Sequence, residues 1–124
     1  MAIEIPGFPW TREAAADYRT KQYYFIEVDG NGRAALPGAD GAICDGVLQN
    51  DPVQYEAATI YSTGISKVVS NGTVEAGDNV ACANGGKAKE AASGEYVQGT
   101  ALEGDGGVDG TIISVLLRPQ GRLA

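Results

Sequence analysis

Residues 57–90 read AATIYSTGISKVVSNGTVEAGDNVACANGGKAKE, and this stretch decides the fold class. Within it, short runs rich in β-branched residues alternate with turn pairs such as Asn71-Gly72 and Asn84-Gly85. Stiff β-branched side chains suit a pleated sheet, and Asn-Gly pairs supply the positive backbone angles of tight hairpin turns. The stretch therefore predicts several short strands joined by hairpins.

The same pattern extends along most of the chain. Strands are predicted over residues 21–28, 33–36, 42–49, 57–62, 66–70, 79–83, 87–90, 97–103 and 111–118. In the last of these, Ile113, Val115 and Leu117 share one face, while Ile112 and Leu116 lie on the other. Because both faces are apolar, this strand is predicted to be central or covered on both sides. The whole pattern indicates an all-β sandwich or a small β-barrel.

The first 20 residues differ from the rest. Proline at positions 6 and 9 favours extended backbone before each proline, and residues 11–19 could form a short helix capped by Thr11. We therefore expect an N-terminal arm over residues 1–20 and a single β domain over residues 21–124. An apolar arm on an acidic chain needs a surface to bury against, either its own domain or another protein, and we favour another protein. The candidates for that contact are Ile3, Ile5, Phe8 and Trp10.

Charge and composition argue against several classes of function. Sixteen acidic against nine basic residues leave a net charge of −7, which argues against nucleic-acid binding because nothing offsets phosphate repulsion. The chain has no histidine, which excludes Ser-His-Asp and Cys-His catalysis and most zinc sites. No apolar run approaches the ~20 residues that span a bilayer, and no secretory signal pattern is present. We therefore expect no catalytic residue, no cofactor, no metal, no membrane partner and a non-secreted protein.

Two acidic patterns could in principle bind a cation. Asp29-x-Asn31 resembles the start of a calcium loop, but an arginine stands where the third oxygen ligand should be, which favours a hairpin turn. Glu103, Asp105 and Asp109 crowd a glycine-rich loop and could hold a hard cation. They lack a fixed ligand spacing, so a solvated loop is the favoured interpretation.

The two cysteines, Cys44 and Cys82, lie in apolar runs. In a protein made in the cytoplasm we expect free thiols that pack as small hydrophobic side chains, with a disulfide as the alternative.

One ordered series of short motifs is similar to a known family. The series comprises GVLQNDP (46–52), AATI (57–60), GISKV (64–68), GDNV (77–80), GGKA (85–88), VQGTAL (97–102) and SVLL (114–117). In order and spacing it resembles the capsid cement, or head decoration, proteins of tailed bacteriophages, from about Ala42 to Pro119.

The resemblance implies a small β-barrel or β-tulip-like domain with an extended N-terminal arm. It implies a structural virion protein without catalysis, made in the bacterial host cytoplasm and bound to the exterior of the assembled head. There it would contact the major capsid protein, commonly as a homotrimer at three-fold positions. Residues 1–19 depart from the family because they are longer and more aromatic than its short lead. If they form the contact, removing residues 1–10 should leave the domain folded but lower its occupancy on heads.

Two other classes of function stay open. A carbohydrate- or receptor-binding β-module on a phage surface would use exposed aromatic residues, with Tyr23, Tyr55, Tyr61 and Tyr96 as candidates. An enzyme without histidine would have to rely on paired carboxylates, as glycosidases do, but no pair stands in a cleft-forming context.

Overall fold

The computed structural model describes residues 2–124. Eleven strands are formed in this range, and every strand pairing among them is antiparallel. The strands are β1 (Ile5–Pro6), β2 (Pro9–Glu13), β3 (Phe25–Val28), β4 (Ala34–Ala35), β5 (Gly46–Leu48), β6 (Ala57–Tyr61), β7 (Gly64–Val69), β8 (Asn79–Cys82), β9 (Ala88–Glu90), β10 (Tyr96–Ala101) and β11 (Ile112–Arg122).

The predicted all-β class is confirmed, but the barrel is not closed by continuous strand pairing. The strands form a six-stranded sheet in the order β1-β7-β11-β10-β8-β9 and a five-stranded sheet in the order β2-β6-β5-β3-β4. Residues 2–124 contain no helix, and hence none that could cross a bilayer.

The short helix considered for residues 11–19 is wrong. Pro9 to Glu13 pair residue by residue with Tyr61 to Ala57 of β6, so the first part of this segment is a strand. The backbone hydrogen bonds of a strand partner replace those of a marginal two-turn helix, which has little stability of its own.

The six-stranded sheet is organised around β11. This strand pairs with β7 on one side and β10 on the other, which confirms its predicted central position. Ile113, Val115 and Leu117 point into the core and are at most 6% exposed. On the opposite face Ile112 is 44% exposed, so that face is only partly covered. We call this second side of the six-stranded sheet the outer face.

Each sheet curls so that one residue pair joins the strand at one end back to the first or second strand at the other end. An isolated parallel bridge joins Ser70, which follows β7, to Ala88 of β9 at the far end of the six-stranded sheet. A second isolated parallel bridge joins Ala14, which follows β2, to Ala34 of β4 at the far end of the five-stranded sheet. We call these two meeting places the 70/88 seam and the 14/34 seam.

Two main hydrophobic clusters fill the curled sheets. The first lies mostly on the inner side of the six-stranded sheet and includes both cysteines, whose predicted burial among apolar residues is confirmed. The second comprises Ala14, Tyr18, Ile26, Ala34, Leu48, Ala58 and Ile60, with Trp10 and Leu36 packed against it. Burying these side chains is the main favourable contribution to folding.

Gly46 permits the close approach of β5 to β6. A Cβ atom at this position would lie 2.5 Å from Ile60 Cγ2 and 2.5 Å from the carbonyl oxygen of Tyr61. Only glycine fits such a contact, so the glycine interruption in the predicted strand 42–49 marks the place where the two backbones come together. Regular pairing begins only at Gly46, and the residues just before it are irregular.

Candidate interaction surface

The outer face is made by the alternate residues of β7 and β11. Ser66, Val68 and Ser70 are buried, which directs Ile65 and the residues in register with it to the other side. Cross-strand pairing then places the outer-face residues in rows: Ile5, Ile65, Leu116 and Thr100 in one row, and Val69 with Ile112 in another.

The beginning of the chain lies across this face. The Ile3 amide donates a hydrogen bond of 2.6 Å to Ser114 Oγ, and that hydroxyl donates to the Ile3 carbonyl at 3.2 Å. Glu4 Oε1 lies 3.5 Å from Lys67 Nζ, and β1 adds a two-residue edge to β7. These few contacts attach the segment only weakly. Both members of the ion pair are partly exposed, and such pairs contribute little to stability.

Three of the four predicted partner-contact residues are exposed, and two of them, Ile3 and Ile5, lie on the outer face. Ile3 is 47% exposed, Ile5 57% and Phe8 78%. Leu102 and Ile112 add further exposed apolar surface at the same sheet, since Ile112 belongs to β11 and the Leu102 amide donates a hydrogen bond to the carbonyl of Ser114 in that strand. Several exposed apolar residues on one sheet are a feature of protein–protein contact sites.

The fourth, Trp10, occupies a different environment. It is half-buried, packs against the second hydrophobic cluster and donates a 2.7 Å hydrogen bond from Nε1 to Ser62 Oγ. The structure therefore brings Ile3 and Ile5 together on the outer face and places Trp10 within the five-stranded sheet. Contact of all four residues with another protein stays a prediction.

The acidic loop that contains Glu103, Asp105 and Asp109 is held at the 70/88 seam by hydrogen bonds within the chain. Asp105 is 5% exposed; its Oδ2 accepts hydrogen bonds from Ser70 Oγ and from the Val74 amide (3.0 Å), and its Oδ1 accepts one from the Gly107 amide (2.9 Å). Burial alone would raise the pKa of Asp105, but these donors and the Gly72 amide outweigh it and lower that pKa.

The predicted solvated loop is therefore wrong for Asp105, which is a buried structural carboxylate. Asp109 pairs instead with Lys87 Nζ at 2.9 Å, and Glu103 accepts the Ser114 amide at 2.9 Å. The three carboxylates have separate partners, and no cluster of three or more acidic or cysteine side chains that could hold a metal occurs within residues 2–124. A depression of about 390 Å³ lies beside the loop, and its lining includes Asp105 and four glycines.

The Asp29 turn is a hairpin turn in the structure. Asp29 Oδ1 accepts the amides of Asn31 and Arg33 at 2.9 Å each, and its carbonyl accepts the Gly32 amide at 3.0 Å. The carboxylate is thus engaged in stabilising the turn, which is the arrangement that the Asx-turn signal predicts.

The tyrosine candidates lie in separate places. Tyr23 has Lys67 Nζ 5.7 Å from its ring centre, Tyr96 has the Arg122 guanidinium at 4.6 Å, and Tyr61 packs against the first hydrophobic cluster. Tyr55 is 58% exposed and lies 5.0 Å from the Arg33 guanidinium. Because they do not converge, they form no shared stacking platform.

The buried thiols lie close together. Cys44 and Cys82 place their Sγ atoms 3.8 Å and 3.5 Å from the same acceptor, the carbonyl oxygen of Ala42. A hydrogen bond with Cys82, together with burial, raises the pKa of Cys44.

Sequence reasoning missed two features of these surfaces. The first is the exposure of Ile112 on the outer face. The apolar alternation of its strand predicts cover on both sides, but the outer face is only partly covered. The grouping of Arg12, Arg33 and Tyr55 beside the 14/34 seam depends on the curl of the five-stranded sheet, for which the sequence carries no local signal.

Comparison with known proteins gives a match of structure. No protein-family model matches this chain, and no curated protein matches it either. Among solved structures, it is similar to the head fiber gp8.5 N base of bacteriophage phi29, with a TM-score of 0.71 and 18% sequence identity. The match covers 94% of this chain and 98% of that one, so it extends over both sheets. At this identity the likeness establishes a shared fold.

Proposed function

We propose that this chain is a structural protein of a bacteriophage virion, a capsid cement or decoration protein that binds the outer surface of the assembled head. The observation that carries the proposal is the match, over nearly the whole of both chains, to a head fiber base domain. The ordered motifs of the sequence support the same class through their resemblance to head decoration proteins.

The outer face supplies a surface for such a role. Ile3, Ile5 and Phe8 expose apolar side chains that burial against the major capsid protein would remove from water. A protein that binds only the assembled shell stabilises that state by mass action, and many copies of one moderate contact add up. In this proposal the chain is non-enzymatic, is made in the host cytoplasm and acts on the head exterior, as a homotrimer at three-fold positions.

Co-sedimentation tests the proposal. We expect the protein to pellet with purified mature heads and to stay in the supernatant with unassembled capsid subunits. Equal binding to subunits and heads, or no binding to heads, would contradict the cement role.

A triple variant locates the contact. Replacing Ile3, Ile5 and Phe8 by serine should lower occupancy on heads severalfold while leaving the fold intact, since all three are exposed. Ile43→Ser is the matched control, because Ile43 is also 57% exposed but lies outside the arm. Unchanged occupancy of the triple variant would place the contact elsewhere.

A second function, binding of a glycan by an exposed aromatic residue, is favoured by one observation. Tyr55 is exposed and forms one wall of a cleft that also contains two arginines. Binding of the isolated protein to a glycan array, lost in Tyr55→Ala, would support this function over the cement role.

A further inference from the structure

The 14/34 seam opens into a cleft. Beyond the Ala14–Ala34 bridge the two ends of the five-stranded sheet separate, with β2 on one side and the turn before β4 on the other. The resulting cleft has a volume of about 470 Å³. Its lining includes Arg12, Glu13, Arg33 and Tyr55.

Arg12 has an unusual position in this cleft. It pairs across the sheet with Ala58, and Trp10 two residues earlier pairs with Ile60, so Arg12 lies on the face that carries Trp10 and Ala14 toward the core. Arg12 is nevertheless exposed, because no strand covers the seam beside it. Among the described residues no hydrogen bond or ion pair engages its guanidinium. An exposed guanidinium without a protein partner is available to form charge-assisted hydrogen bonds with an anionic group of a ligand.

The backbone of β2 is available on the same side. β2 is the end strand of the five-stranded sheet; it pairs with β6 and with no other strand of residues 2–124. Its five residues make it longer than β1, β4 and β9, the other strands at sheet ends. An extended peptide can add to such an edge through backbone hydrogen bonds.

Tyr55 and Arg33 hold the cleft in a defined shape. Tyr55 has a φ of 70°, a conformation that aromatic residues rarely adopt, and its amide donates a 2.9 Å hydrogen bond to the Ala14 carbonyl at the seam. Its ring lies 5.0 Å from the Arg33 guanidinium, and Arg33 Nε lies 3.5 Å from Glu13 Oε2. Backbone strain kept at an exposed position is often associated with ligand contact.

The charge of the cleft differs from that of the whole protein. Two arginines face one glutamate in the lining, whereas the chain as a whole carries a net charge of −7. Guanidinium groups bind carboxylates through paired, charge-assisted hydrogen bonds. The local excess of positive charge therefore favours a carboxylate-bearing ligand.

We propose that the 14/34 seam binds an extended, acidic segment of a partner protein, which adds as a strand to the open edge of β2 and places a carboxylate between Arg12 and Arg33. Backbone pairing supplies sequence-independent affinity, and the two guanidinium groups select the acidic side chain. The site is separate from the outer face and does not depend on the proposed head binding.

Selection from a display library of random seven-residue peptides tests this proposal on the full chain. We expect the enriched peptides to be acidic and rich in β-branched residues, and to bind Arg12→Gln and Arg33→Gln variants roughly tenfold more weakly. Arg118→Gln is the matched control, since Arg118 is exposed on β11 away from the cleft and its loss should not change binding.

N-methylation of the best peptide at alternate amides provides the second measurement. It should abolish binding if the peptide pairs with β2 and should leave binding unchanged if only side chains are recognised. No acidic enrichment, equal binding to the arginine variants, tolerance of N-methylation, or glycan binding that depends on Arg12 in place of peptide binding would each overturn the proposal.

Discussion

The two seams, at each of which a curled sheet meets itself through one residue pair, differ in the groups that surround that pair. At the 70/88 seam the chain fills the meeting place with its own buried carboxylate, Asp105, which accepts hydrogen bonds from Ser70 and from backbone amides. At the 14/34 seam, Tyr18 joins the segment after β2 to the segment after β4. Its side chain is 6% exposed, and its Oη accepts a 3.3 Å hydrogen bond from the Leu36 amide. We call Tyr18 the anchor of this seam. Around Arg12 the seam stays open.

The difference shows how polar groups at a curled sheet end acquire their roles. Where the groups are satisfied within the chain, as at Asp105, they stabilise the fold. Where a charged group is exposed beside an open strand edge and has no partner among the described residues, as at Arg12, it is available to a ligand. The comparison therefore assigns stability to Asp105 at the first seam and to the buried anchor Tyr18 at the second, and recognition to the open part of the second seam around Arg12. Four experiments test that division.

The largest effect is expected at the anchor of the open seam. Tyr18→Ala removes a buried ring from the second hydrophobic cluster and leaves the Leu36 amide without its acceptor, so the free energy of unfolding should fall by about 4 kcal/mol. Urea unfolding followed by circular dichroism measures it. Phe8→Ala serves as the control, because Phe8 is 78% exposed and should change stability little. A loss below about 1 kcal/mol for Tyr18→Ala would show that the seam is held elsewhere.

The filled seam should be nearly as sensitive. Asp105→Ala leaves Ser70 Oγ and the Val74 and Gly107 amides without their shared acceptor, and we expect a loss of about 3 kcal/mol in the free energy of unfolding. Asp109→Ala is the comparison, since Asp109 is exposed and its pair with Lys87 should contribute little. Equal effects of the two variants in chemical denaturation would contradict a special role for the seam.

The two seams should respond to pH in opposite directions. The pKa of Asp105 is lowered in the folded state, so its contribution is complete above the unfolded value of about 3.9 and is lost as the pH falls through the folded pKa. Burial raises the pKa of Tyr18, so its contribution is complete below about 10 and is lost as the pH rises through the folded pKa.

Stability curves of two conservative variants measure these contributions. Asp105→Asn should flatten the dependence of unfolding free energy on pH at the acid end, and Tyr18→Phe should flatten it at the alkaline end. If the curve of a variant runs parallel to that of the unaltered protein, the replaced residue does not contribute to the pH dependence of stability.

The smallest effect on stability is expected at the open seam itself. Arg12→Gln should change the free energy of unfolding by less than about 0.5 kcal/mol, because the side chain is exposed and has no partner among the described residues. Thermal unfolding of the two proteins side by side checks this. A clear loss of stability would show that Arg12 serves the fold, and the division between the seams would fail.

The structure also sharpens the predicted truncation. Removing residues 1–10 would delete Trp10, which packs in the second cluster and bonds Ser62, and so would disturb the five-stranded sheet. A cut before Pro9 spares that side chain. The shorter truncation is therefore the better test of whether Ile3, Ile5 and Phe8 contact a head.

Sequence reasoning worked where structure depends on neighbours along the chain. The strands at Ala57–Tyr61, Asn79–Cys82 and Ala88–Glu90 lie within one residue of their predicted bounds at each end. The Asp29 turn also formed as expected, because its hydrogen bonds span only four residues. Alternation placed β11 at the centre of its sheet, although the second apolar face proved only partly covered.

Sequence reasoning did not succeed where contacts between distant segments determine the structure. Asp105 is buried because Ser70, Val74 and Gly72 come to it from some thirty residues away, and an acidic, glycine-rich stretch gives no sign of that. The helix considered after Thr11 was replaced by a strand because β6 offered a partner. The cleft at Arg12 depends on the curl of a whole sheet, which no local pattern specifies.

The short end strands have a consequence for how the protein behaves at high concentration. β1, β4 and β9 contain two, two and three residues, so they offer little template for another copy to stack against. Copies that accumulate in quantity before they are used should therefore resist growing into fibres. Among the end strands of residues 2–124, β2 is the longest, so it is the edge at which addition of a further strand is expected first.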